Sequence, residues 1–152
     1  MVNIYSHYKG LYMDYTINTS ALTPLIEEEV AHVADLAYGE NGISLYESIF
    51  ISGKDSGLVQ RFIKDAVNYL QRETADISAA GTNKISFDVP DMPSANSTVI
   101  TEEITRFITM FASNGFFKQR RAAVVPEYTT RIQAALDNIQ TLLRERTAPT
   151  RS

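Results

Sequence analysis

The sequence predicts a mostly α-helical fold: a small helical bundle with a minor β-strand or hairpin element and an extended N-terminal arm. Apolar residues recur at helical spacing along most of the chain, one short stretch alternates apolar with polar residues, and a tyrosine-rich N-terminal stretch fits neither period cleanly. The 152 residues suit one domain, which at that size buries roughly 70% of the surface its unfolded chain exposes.

Residues 1–20 read as the arm, 21–147 as the helical domain and 148–152 as a flexible tail. In the arm, Ile4, Tyr5, Tyr8, Leu11, Tyr12 and Tyr15 recur at helical spacing, Gly10 interrupts them, and Tyr15, Thr16 and Ile17 favour strand. A first helix is expected from Thr23 as cap, with Pro24 in its first turn, Glu27, Glu28 and Glu29 near the positive dipole end, and Gly39 as its stop. Its stripe is Leu22, Ile26, Val30, Val33 and Ala37, widened by Leu25 and Leu36. Asn41 to Ile51 reads as a short helix, with strand as the alternative. After the turn Ser52–Gly57 comes the strongest helix, about 57–75, where Leu58, Phe62, Ala66 and Tyr69 interleave with Val59, Ile63, Val67 and Leu70.

Ile77 to Asn83 reads as a turn, and K-I-S-F-D-V at Lys84–Val89 as a short half-buried strand. Pro90 to Thr98 reads as an exposed loop. Thr101 is the expected cap of the next helix, with Glu102 and Glu103 in its first turn and Ile104, Phe107, Ile108 and Phe111 as its stripe. Asn114-Gly115 ends that helix unless Phe116 and Phe117 prolong it into Lys118-Gln119-Arg120-Arg121. A last helix spans about Pro126 to Arg146.

Composition narrows the chemistry. The chain has no cysteine, so disulfides, thiolate metal sites and thiol nucleophiles are excluded. The formal charge of −4 argues against non-specific attraction to phosphate backbones. No stretch approaches the ~20 apolar residues that span a bilayer, so no membrane partner is expected. His7 and His32 stand far apart without a metal-ligand pattern, and no cofactor is expected. Glu27–Glu29 point about 100° apart in succession and do not converge on one reacting atom. Ser52-Gly53-Lys54-Asp55-Ser56-Gly57 has its lysine before the second glycine, unlike a phosphate loop, and reads as a helix start.

Two clusters suggest contact with other chains. Lys118, Arg120 and Arg121 complement a helix C-terminus by default, but Phe116 and Phe117 beside them resemble an interface, where aromatic residues and arginine dominate. In the arm, Tyr5, Tyr8 and Tyr12 either fold back over the chain's own bundle or dock on a neighbouring subunit.

The order of elements resembles a known family. A helix, a long helix ending Tyr69-Leu70-x-Arg72-Glu73-Thr74, a strand with the exit Asp88-Val89-Pro90-Asp91-Met92-Pro93, and a helix Thr101-Glu-Glu-Ile-x-Arg-Phe-Ile follow one another. This resembles the head–tail connector (head-completion adaptor) proteins of tailed bacteriophages, over about residues 22–146. The chain lacks a tryptophan that the family often carries after the strand, and its arm and final helix are long. The resemblance implies a non-enzymatic structural subunit of the virion neck, assembled in the host cytoplasm. Its implied partners are copies of itself in a ring, portal and tail or neck proteins, and DNA passing through the lumen without sequence-specific contact. A helical interaction module of the bacterial cytoplasm is the alternative, and a small-molecule enzyme would need converging polar groups that the sequence does not assemble.

Overall fold

Local periodicity places the helices, and one of them organises the rest. The computed structural model describes residues 12–41, 51–80, 84–89, 93 and 95–145. Along these run β1 (Tyr12–Thr16), α1 (Thr19–Asn41), a 3-10 turn (Gly53–Asp55), α2 (Ser56–Glu73), β2 (Ile77–Ala80), β3 (Lys84–Asp88), α3 (Asn96–Arg120), a second 3-10 turn (Ala122–Val124) and α4 (Val125–Arg144). The mostly helical bundle with a minor β element is therefore what the chain forms.

α3 is the hub, packing against α1, α2 and α4. Its buried residues include Ile100, Ile104, Phe107, Ile108, Met110, Phe116 and Phe117, which lie on several sides of the helix. A helix apolar on several sides belongs inside a bundle rather than at its surface. The outer helices are amphipathic: α2 buries Val59, Ile63, Ala66, Val67 and Leu70, and α4 buries Tyr128, Ile132, Ala135, Leu136, Ile139 and Leu143.

The sheet has strand order β1-β3-β2 and is antiparallel throughout. Met13 faces Phe87 and Tyr15 faces Ile85 across one ladder, and Ile77 faces Phe87 across the other. Tyr15, Ile77, Ile85 and Phe87 are buried, as alternation requires. On the other face the Ser86 hydroxyl donates to Asp14 Oδ1 at 3.0 Å and Lys84 Nζ lies 2.8 Å from Asp14 Oδ2. Ser86 is buried although the alternation placed it on the wet side.

Several expected boundaries move. The arm, read as residues 1–20, ends in β1 and the first residues of α1; residues 1–11 lie outside the described chain, as do 42–50, 90–92, 94 and the tail, while Asn96–Thr98 of the expected loop open α3. α1 begins at Thr19 because Asn18 Oδ1 accepts the Ser20 N–H at 3.0 Å. Thr23 instead turns its hydroxyl back to the Thr19 carbonyl, and α1 continues past Gly39 to Asn41. Ile77–Ala80, expected as turn, is a strand because β3 offers it a ladder. α3 begins at Asn96, so Thr101 is not a cap; its hydroxyl bonds the Ser97 carbonyl. Neither α1 nor α3 has an acidic residue in its first turn, so the dipole role expected for Glu27–Glu29, Glu102 and Glu103 does not apply. Asn114 and Gly115 lie inside α3, which runs on to Arg120.

Candidate interaction surface

Among the described residues, two grooves flank α3. The larger, of about 610 Å³, lies between α1 and α3 and is lined by Leu25, Glu28, Glu29, Thr105, Arg106, Met110 and Arg131, among others. Its polar groups largely find partners within the chain. Tyr15 and Thr105 share a hydrogen bond between their hydroxyls, and burial pushes the Tyr15 phenol above its usual pKa. The Tyr128 hydroxyl donates to Glu29 Oε1; burial first, and then the Glu29 carboxylate, raise its pKa. Arg131 pairs with Glu127, and Thr101, Thr105 and Thr109 each bond the carbonyl one turn back.

The second groove, of about 410 Å³, opens between α2 and α4 and is floored by α3. Phe62 and Tyr69 of α2, Phe111, Asn114 and Gly115 of α3, and Ile132 of α4 line it, with Asp65, Lys118 and Gln133 also on its walls. Tyr69, Phe107 and Phe111 form an aromatic trio with ring centroids 5.3–6.1 Å apart. Gly115 is required here: a Cβ would come within 2.8–2.9 Å of the Phe62 ring, so its absence lets that ring lie on α3. Asn114 is 4% exposed, and its Oδ1 meets no hydrogen-bond donor among the described residues. Such a buried acceptor costs about 1–3 kcal/mol until something donates to it.

One end of this wall is fixed by an ion pair. Arg120 Nη1 and Nη2 donate to Asp55 Oδ2 and Oδ1 at 3.1 and 2.7 Å, a bidentate fork. The Ser52 N–H donates to the same carboxylate at 2.9 Å. The Arg120 guanidinium, hydrogen-bonded to Asp55, holds that carboxyl below its ordinary pKa against the opposing effect of burial. Arg120 also lies 4.9 Å from the Phe116 ring centroid, and Phe116 meets Phe62 edge-on at 4.9 Å.

The residues expected to contact partners therefore divide. Phe116 and Phe117 are wholly buried, which corrects their expected place at an interface: α3 is enclosed on the sides they occupy. Phe117 meets the Tyr128 ring at a tilt, with centroids 4.6 Å apart. Arg120 is held by Asp55, and Arg121 is the C-terminal cap residue of α3. Lys118 is exposed on the second groove. Tyr12 opens β1, while Tyr5 and Tyr8 lie outside the described residues. Sequence reasoning missed Asn114, Gly115 and Asp55. An asparagine and a glycine amid an apolar run were the available signal, but they read equally as a helix end.

Among the described residues no group of three or more His, Cys, Asp or Glu side chains is placed to hold a metal ion. His32 is exposed on α1. No helix among them is long and apolar enough to cross a membrane. Comparison with protein-family models, curated proteins and solved structures finds no match for this chain.

Proposed function

We propose that the chain is a structural subunit of a tailed-phage neck, a head–tail connector ring protein that joins the portal to tail components. The observation that carries the reading is the pairing of two unlike surfaces on one small bundle. β1, the described end of the tyrosine-rich arm, is an edge strand whose outer side has no partner strand among the described residues. Beside α3, an open groove is lined by Asn114 and Phe111 of that helix and by Phe62 and Tyr69 of α2. A ring built head to tail needs two such different faces on every subunit, whereas a two-fold dimer uses one face twice. The helix, helix, strand, helix order that carries the family resemblance corresponds to α1, α2, β3 and α3, with β2 inserted before β3 and β1 ahead of α1.

Light scattering coupled to size exclusion, with negative-stain microscopy of the largest species, tests this. A closed ring that persists on dilution supports the reading. A monomer or dimer across the whole concentration range overturns it in favour of a stand-alone interaction module.

A further inference from the structure

We propose that the groove between α2 and α4 receives the N-terminal segment of a second copy of this chain, with a tyrosine hydroxyl bonded to the Asn114 side-chain amide. The proposal rests on the ring reading above and names the contact that would close one subunit on the next.

The occupant follows from the chemistry of the groove. Its walls are the half-buried rings of Phe62, Tyr69 and Phe111, and its floor holds a nearly inaccessible amide whose oxygen lacks a donor among the described residues. A purely apolar side chain would cover the rings and leave the amide unpaired. A carboxylate would add another acceptor where a donor is missing. A phenol has an aromatic body and a tip that both donates and accepts, so it serves the amide even if the amide flips. The fold already uses tyrosine this way: Tyr15 buries its ring to 9% exposure and shares its hydroxyl with Thr105. Residues 1–11 carry Tyr5 and Tyr8 with Ile4 and Leu11, and no acidic residue.

Geometry favours a second copy over the chain's own segment. Tyr15 meets Thr105 on the side of α3 that lines the first groove. Asn114, at about 100° per residue, lies about 180° around α3 from Thr105. The segment that enters β1 would have to pass around α2 or α4 to reach its own groove, while a neighbour placed head to tail presents its segment directly.

Subunit mixing tests this with full-length chains. One variant carries Tyr5→Ser and Tyr8→Ser; another carries Asn114→Leu; a third, Gln133→Trp, obstructs the groove from its exposed rim and guards against misfolding of the second. Circular dichroism first confirms native helix content in each. Sedimentation velocity is expected to show association of each variant alone weakened at least tenfold, and 1:1 complexes restored when the tyrosine variant is mixed with either groove variant. Tyr5→Phe and Tyr8→Phe, removing only hydroxyls, are expected to be non-additive with Asn114→Leu. If the variants assemble like the wild type, the arm–groove contact is wrong and the ring reading stands. If each is defective but mixing restores nothing, the segment does not act between copies and the proposal falls. If the wild type itself never associates, the ring reading fails and takes this one with it.

Discussion

The two grooves beside α3 differ less in size than in how their polar groups are accounted for. Between α1 and α3, Thr105 is answered by Tyr15, Glu29 by Tyr128 and Arg131 by Glu127, so that surface is largely settled within the chain. Between α2 and α4, aromatic rings line the walls and Asn114 Oδ1 has no donor among the described residues. A groove whose polar atoms are satisfied gains little from an occupant, whereas one with a desolvated, unpaired acceptor gains a hydrogen bond whose desolvation is already spent. Volume alone favours the first groove; the unpaired acceptor favours the second.

The comparison can be broken first at the Phe116 ring, which ties the second groove to the core. Phe116→Ala is expected to cost about 3–5 kcal/mol in a denaturant melt, through lost transfer energy and the cavity left behind. Phe62→Ala should cost less than this, because Phe62 is only half-buried. Equal losses would mean that the groove wall is as well packed as the core.

Next is the Asp55–Arg120 pair, whose side chains are 13% and 19% exposed. Allowing for that residual solvent, Asp55→Ala is expected to cost about 2–4 kcal/mol near pH 7, since it leaves Arg120 largely buried without its carboxylate. The folded pKa of Asp55 lies below its unfolded value, so the stabilisation is fully present above about pH 4. It is lost as the pH falls through the depressed folded value. Melts of wild type and Asp55→Asn should therefore converge only in acid; a constant gap from pH 7 down to 2 would remove the ion pair from the account.

Gly115→Ala separates backbone propensity from packing. Alanine gains about 1 kcal/mol in a helix interior, yet its Cβ would press on the Phe62 ring. Overpacking of this kind costs about 1–3 kcal/mol, so a net loss of up to about 2 kcal/mol is expected. A stabilised variant would show that the ring moves aside freely.

The smallest effects bear on the comparison most directly. Tyr15→Phe, on the settled side, should lose about 1 kcal/mol with its hydroxyl bond to Thr105. Asn114→Leu, on the unsettled side, should leave the monomer unchanged or stabilise it, within about 1 kcal/mol, because no bond is lost with the amide. If the two variants destabilise alike, Asn114 has a partner within the chain and the distinction between the grooves collapses.

Much of the fold was legible from residue spacing, and much less of the surface. α2 was expected at about 57–75 and runs Ser56–Glu73; α4 was expected from Pro126 and starts one residue earlier. β2 was not legible, because Ile77-Ser-Ala-Ala has a single large apolar residue and becomes a strand only by pairing with β3. The start of α3 was misread because Thr-Glu-Glu imitates a capped first turn, whereas Thr101 sits inside the helix and bonds back to Ser97.

Phe116 and Phe117 show where such reading stops. Two phenylalanines beside Lys118, Arg120 and Arg121 have the composition of an interface, and nothing in the local pattern says whether another helix already covers them. That is decided by α1, α2 and α4 closing on α3 from distant parts of the chain. The partner of Arg120 is likewise Asp55, 65 residues upstream. By itself, the sequence determined the helices, the central strand and the absence of cysteine chemistry, because turn-by-turn burial periods and composition are local properties. Only the tertiary structure decided which aromatic residues are core, which charges are paired and which buried amide was left open, because burial and hydrogen-bond satisfaction depend on groups that folding brings together from far along the chain.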